Sequence, residues 1–263
     1  MIFCKIPRAG LGNQLFVIAH AIIFAKNNSQ KITFLNFSQL KIGPYLRRER
    51  TKRQYNNFFV FQKGIIALFV DQIKFKLMGD SKFLIEPELE IKAVDMNALF
   101  SEIPHYSDYF IKLRPYREVV KAELFNFITK ENRDLINQLS TIDVAVHVRL
   151  GDFQKLQKGV SFAKVGATRT PMEYFIDSIA KIKERYPSYR FFIFTDGYKT
   201  EVSQLLEIEG VQFFESINDI VDLYQMSKSK ILITSAGSTY SYWAGFLGDC
   251  EIIQHPDHFH KIV

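Results

Sequence analysis

The residues best suited to chemistry stand where short apolar runs end. In "HVRLGD", residues 147–152, an arginine follows directly on the apolar run Ile142 to Val148. An arginine at the end of a buried strand is costly unless an anion or a carboxylate neutralises it, so Arg149 expects an anion. Its guanidinium is a rigid fork of donors matched to phosphate oxygens, and it stays charged throughout a reaction. Strand alternation places His147 on the same face as Arg149, where it can donate to the ligand or support the arginine. Asp152 is the nearest following carboxylate, and the next is Glu173. Asp152 is therefore the candidate general base, with a local ion pair to Arg149 as the alternative.

Three other turns carry matching features. In "RAGLGNQLF", residues 8–16, Gly10 and Gly12 allow a tight turn and close backbone approach. Asn13 can cap the helix that follows, and the free N–H groups of its first turn form an anion site. The stretch lacks both the third glycine of a dinucleotide fingerprint and the lysine of a P-loop. In "FTDG", residues 194–197, Asp196 either accepts from the N–H groups of a base or caps the next helix. "SAGSTYSYWAGFLGD", residues 235–249, opens another helix. Ser235, Ser238 and Thr239 offer hydroxyls and helix N–H groups to phosphate, and Gly237 keeps the approach open. Tyr242, Trp243 and Phe246 read as core.

The elements that must position these residues follow a regular alternation in the second half. Strands are expected at 142–149, 190–195, 211–214, 230–234 and 251–253, with helices at 171–186, 199–208, 218–227 and 238–247. Such alternation predicts a parallel sheet covered on both faces, whose ligands bind beyond the carboxyl ends of the strands. The first half opens likewise, with strands at 2–6 and 31–35 around a helix at 13–26. Residues 41–115 give no regular pattern. An amphipathic helix from Arg117 to about Leu139, with Val120, Leu124, Phe127 and Ile128 on one face, bridges the halves. The fold class expected is α/β, with two Rossmann-like lobes, residues 1–138 and 139–263, whose parallel sheets face a cleft.

Composition narrows the function classes. The 263 residues are 47% hydrophobic with a net charge of +6, which suits a globular chain with anionic partners. The apolar stretches Leu15 to Ala19 and Ala21 to Ala25 fall short of the ~20 residues that span a bilayer. No secretion signal is evident at Met1 to Ile6, and Cys4 and Cys250 suit small reduced hydrophobes, so a cytoplasmic location is expected. The basic run Lys41 to Arg53 reads as a solvated face, or as a contact for phosphate-bearing substrates or an anionic membrane at its inner face. Nucleic acid is not expected, because no recognition helix, zinc spacing or RNA-reading aromatic motif accompanies the charge. His255, Asp257, His258 and His260 have no metal-ligand spacing to a scaffold helix. No D-x-D metal motif occurs either.

Taken in order, these stretches resemble glycosyltransferase family 11, the α-1,2-fucosyltransferases, within the wider inverting fucosyltransferases. The matching pieces are G-x-G-N-Q-L-F at 10–16, H-V-R-x-G-D at 147–152, F-T-D at 194–196, D-L-x-x-M-S at 222–227 and S-T-Y-S-Y-W at 238–243. The resemblance implies a GT-B fold, GDP-L-fucose as donor substrate, a glycan acceptor, inversion at the sugar carbon, and neither cofactor nor required metal; a lipid-linked acceptor is an expectation tied to the basic run Lys41 to Arg53. It places donor binding on Gly12, Asn13, His147, Arg149, Asp196, Ser235, Ser238 and Thr239 in the C-terminal lobe and its partner turn, the acceptor on the N-terminal lobe, and catalysis on Arg149 and Asp152. Leu150 stands where the family usually has a second arginine. A binding protein without turnover and a transferase of another GDP-sugar are the competing expectations.

Overall fold

The computed structural model of the chain describes residues 1–35, 43–46, 50, 55, 57–61, 65–79, 83–92, 96–105, 108–156, 160 and 168–256. It divides into two compact units. The first is Met1–Lys41 with Gln54–Arg133, and the second is Ile42–Arg53 with Asp134–Val263.

The first unit opens with β1 (Ile2–Lys5), α1 (Leu11–Asn27) and β2 (Ile32–Leu35). After α2 (Gly43–Leu46), which groups with the second unit, come α3 (Ile65–Met78), β3 (Phe83–Ile85), β4 (Asn97–Phe100) and α4 (Arg117–Phe127). All strand pairs are parallel, in the order β2-β1-β4-β3. The apolar stretches around His20 lie in α1, where Leu15 to Ala19 and Ala21 to Phe24 are buried. A helix apolar on nearly every side is a central core helix, and this one packs on β1, β4 and α4.

The single long helix expected after Arg117 is instead two. α4 stops at Phe127 and α5 (Lys130–Gln138) begins anew. Ile128 is extended, with ψ 143°, and bridges antiparallel to Phe59, while Thr129 N donates to Phe58 O. Thr129 then starts the next helix, its carbonyl accepting from Arg133 N and its hydroxyl from Asn132 Nδ2. Two consecutive β-branched residues with an outside pairing partner break the helix, although the apolar period runs through them.

The second unit contains β5 (Ile142–Val148), α6 (Met172–Arg185), β6 (Phe191–Thr195), α7 (Ser203–Leu206), β7 (Val211–Phe213), α8 (Asp219–Ser227), β8 (Ser229–Ile233), α9 (Thr239–Leu247) and β9 (Glu251–Ile253). The expected helix at 199–208 is shorter than its pattern, a 3-10 turn at Lys199–Val202 leading into α7. Its parallel sheet has the order β7-β6-β5-β8-β9. β5 is buried from Val144 to Val148, as a strand covered on both faces must be. α6 buries Phe175, Ser178, Ile179 and Ile182, one helical stripe. Asn218 caps α8 by accepting from Ile220 N and Val221 N. The chain leaves β5 toward β6 and β7, then returns to β8 on the other side. The β5/β8 edge is thus a topological switch point, where the loops after the two strands part and leave a crevice.

Candidate active site

Arg149 follows β5 directly, and its guanidinium is gripped from two sides. Nη2 lies 2.7 Å from Asp152 Oδ1, and Nη1 lies 2.6 Å from Asp196 Oδ2. The second contact is an ion pair outside hydrogen-bonding geometry. The Phe153 ring lies 5.4 Å from the guanidinium carbon, within cation–π range. The backbone beneath is equally tied. Arg149 N donates to Ser235 Oγ (2.8 Å), and that hydroxyl donates to His147 O (2.7 Å). Asp196 Oδ1 accepts from Leu150 N (2.8 Å) and Gly151 N (3.2 Å). Side chains from the turns after β6 and β8 therefore fix the turn after β5.

These bonds correct two expectations. Asp196 neither caps the next helix nor faces outward to read a base, since both its oxygens serve the 149–151 turn. The carboxylate that receives the N–H of Tyr198 at the following 3-10 turn is Glu201, at 3.0 Å. Ser235 is wholly buried, and its hydroxyl joins β5 to the turn after β8. Both hold the Arg149 turn in place.

His147 is buried, with its ring 5.4 Å from that of Tyr240. Its Nδ1 has no hydrogen-bond partner. Burial first, then the neighbouring Arg149, pushes its pKa down to about 3, so the ring is neutral and can both donate and accept. Beyond β8, Ala236 N donates to Thr170 Oγ1 and Gly237 N to Tyr242 Oη, both at 2.9 Å. Gly237 sits at φ +70°, a conformation that only glycine adopts without strain. Ser238 is the N-cap residue of α9, and its hydroxyl makes no cap bond. The first helical N–H paired within α9 belongs to Tyr242, which donates to Ser238 O. The N–H groups of the first turn, at Thr239 to Ser241, make the start of α9 a ready anion site, as at any helix N-terminus. Tyr242, Trp243 and Phe246 are fully buried, as core residues are.

In the first unit, the cap of α1 is Gly10 and not Asn13. Asn13 lies within the first turn, its Oδ1 buried without a partner. Neither Gly10 nor Gly12 has a positive φ, so tight turning does not explain them. A Cβ on Gly10 would meet nothing within 4 Å, which leaves open approach as its contribution. Gln14 shapes this turn by donating from Nε2 to Pro7 O and Ala9 O, each at 3.2 Å. Glu86, at the end of β3, adopts φ +44°, and its Oε1 accepts from Ser101 N (2.5 Å) and Glu102 N (2.9 Å). Burial pushes its pKa up.

The matching region spans most of these groups. Residues 100–254 match the sequence profile of glycosyl transferase family 11, more than half of the chain. The protein belongs to this family. This family 11 glycosyltransferase is 28% identical over 261 aligned positions to an α-1,2-colitosyltransferase of Escherichia coli, covering 92% of this chain and 86% of the relative. The α-1,6-fucosyltransferase NodZ superposes with a TM-score of 0.57 at 13% identity, over 98% of this chain and 96% of its own. POFUT1 in its apo form superposes with a TM-score of 0.55 at 12% identity, over 97% of each chain. These likenesses show the fold, a GT-B-like α/β architecture with two parallel sheets.

Sequence reading did not single out the bonds that Thr170, Gln14 and Tyr242 make to the backbone of these turns. Thr170 bonds a turn 66 residues away in sequence, which leaves no motif, while Gln14 and Tyr242 bond their own neighbouring turns within seven residues. Among the described residues no three His, Cys, Asp or Glu side chains group as metal ligands. His255 packs against Tyr174 with ring centres 4.9 Å apart, and Asp257, His258 and His260 lie outside the described residues. Of the basic run 41–53, only residues 43–46 and 50 are described. Among the described residues no helix is long and apolar enough to cross a membrane.

Proposed function

We propose that the enzyme is an inverting α-1,2-glycosyltransferase that moves L-fucose from GDP-β-L-fucose to a galactoside hydroxyl of a glycan, with donor binding on the C-terminal lobe, 139–263, and acceptor binding on the N-terminal lobe, 1–138. The observation that carries this reading is the fixed guanidinium of Arg149 at the switch point of the second sheet. A charge held in place before the reaction stabilises a departing diphosphate without reorganisation. The first-turn amides of α9 and the Ser238 and Thr239 side chains add donors on the adjoining strand's turn. His147, neutral and with an unpaired Nδ1, supplies a further hydrogen-bonding group. In the first unit, Gly12 and Asn13 lie at the N-terminus of α1, which offers first-turn N–H groups of its own.

In the reaction, the bond from the sugar's anomeric carbon to the diphosphate oxygen breaks as the acceptor oxygen bonds to that carbon from the opposite face. The diphosphate leaves with the electron pair, against Arg149. The acceptor proton passes to a carboxylate, for which Asp152 is the candidate. NodZ crystals soaked with GDP-fucose and POFUT1 crystals containing GDP support a guanosine diphosphate donor. The E. coli relative is named for colitose, so GDP-colitose is the second donor to test. A lipid-linked acceptor, and contact of residues 41–53 with an anionic membrane, extend the reading and rest on the charge of that run alone.

The test is a thermal-shift panel of GDP, UDP, CMP and dTDP with and without EDTA, followed by turnover of GDP-fucose and GDP-colitose on galactosides. Stabilisation by GDP, unaffected by EDTA, is expected. Stabilisation by UDP alone overturns the donor, and loss of turnover in EDTA overturns metal independence. Arg149→Ala should lower kcat by roughly two to three powers of ten or more, the usual cost of one charge-stabilising donor.

A further inference from the structure

One described side chain of the basic run Lys41–Arg53 stands at a strand end of the second unit. Arg50 Nη1 donates to Thr195 O (3.2 Å) and Gly197 O (3.3 Å). Its guanidinium carbon lies 5.1 Å from the centre of the Phe213 ring. Thr195 ends β6 and pairs in register with Val148, the residue before Arg149. Gly197 adjoins Asp196, the carboxylate that holds Arg149. Two guanidinia therefore stand at neighbouring strand ends of one sheet, linked through residues 195–197.

Arg149 by itself leaves its crevice short of positive charge. Its one charge faces both Asp152 and Asp196, a trio of net negative charge before any diphosphate arrives. Like charges repel strongly where water is excluded. β5 offers no second cation, because the next side chain is Leu150, buried in the core. It packs so closely on the 195–197 turn that a Cβ on Gly197 would lie 2.5 Å from its Cδ1. Arg50, by contrast, makes no ion pair with any described residue. Asp222, pushed up by burial, feels the Arg50 charge without touching it. A guanidinium held through one nitrogen by two carbonyls is oriented, and it has donors on its other nitrogens for a phosphate.

We propose that Arg50 is the second cation of the donor site, binding the diphosphate alongside Arg149 and tying residues 42–53 to donor recognition. This rests on reading the Arg149 crevice as a guanosine diphosphate site, so the experiment separates the two. GDP and guanosine are titrated calorimetrically into the wild type, Arg50→Gln, Arg50→Lys and Arg149→Gln, with melting curves as a check of folding. Arg50→Gln should weaken GDP by roughly tenfold or more, the scale of one charge-assisted hydrogen bond, and leave guanosine unchanged. Arg50→Lys, which keeps the charge and loses the fork, should fall between. If Arg50→Gln does not fold, the ratio of GDP to guanosine affinity in Arg50→Lys decides, an unchanged ratio counting against the proposal.

Wild-type GDP affinity in Arg50→Gln, with loss in Arg149→Gln, overturns the role of Arg50 and leaves the donor reading standing. Equal weakening of GDP and guanosine shows that Arg50 only shapes the 195–197 turn, and overturns the proposal as well. A wild type that binds no GDP overturns the donor reading and this inference together.

Discussion

At the residue scale, the side chains around Arg149 divide into those that hold and those that are presented. Asp196 and Ser235 hold, because every bond they make returns to the 147–151 backbone or to the guanidinium. Asp152 is the ambiguous one. It accepts from Arg149 Nη2 yet keeps its side chain 39% exposed, which suits a base and a positioning group equally. Asp152→Asn separates these roles, since the amide oxygen still accepts from Arg149 but the group no longer takes a proton. A base role predicts a kcat loss of roughly 10²–10⁴-fold with GDP affinity unchanged. A parallel loss of GDP affinity shows positioning instead. Unchanged kcat leaves the proton to another carboxylate. Arg149 and His147 were legible from the sequence because charge at the end of an apolar run is costly and conspicuous. The inward aim of Ser235 and Asp196 was not, because residue type alone does not say which way a side chain turns once its strand has ended.

At the element scale, the site is a property of strand order. The βα alternation after residue 142 predicts parallel strands, but only the order β7-β6-β5-β8-β9 puts the turns after β5, β6 and β8 side by side. The strands of residues 83–100 went unassigned because they run three and four residues, too short for a period to show. The α4–α5 break was hidden for the opposite reason, an apolar period that continues across it. Close packing of elements also leaves a specific weak point. The end of α9 meets the end of α8 so tightly that a Cβ on Gly248 would lie 2.1 Å from Ser227 O. Gly248→Ala must therefore move backbone, and should destabilise by roughly 1–3 kcal/mol or more. A thermal melt should fall by roughly 2–4 °C for each kcal/mol. A melt at the wild-type temperature would show that the two helices separate freely.

At the scale of the whole molecule, each unit carries a histidine that loss of solvent contact keeps neutral. His20 in the first unit is pushed down to about 4, by burial and then by Lys112. His147 in the second is pushed down to about 3, by burial and then by Arg149. Both values lie below the ordinary 6.5, so the unfolded chain takes up protons that the folded one refuses. Their contribution is complete above about pH 6.5 and is lost as pH falls toward 4. Near pH 5 each should cost about 2 kcal/mol relative to neutral pH. Urea unfolding at about pH 7.5 and about pH 5 checks this, with His20→Gln and His147→Gln each expected to remove about half of the loss. An unchanged loss in both variants would assign the pH dependence to other groups. The amino-acid order alone determined the α/β class, the parallel second sheet and the need for a negative partner at Arg149, because periodicity and the cost of a buried charge are local. Only the tertiary structure decided that Asp196 and Ser235 hold the Arg149 turn and that Arg50 stands at the end of β6. Those depend on contacts between residues some forty to one hundred and forty-five positions apart, and no local pattern encodes such distances.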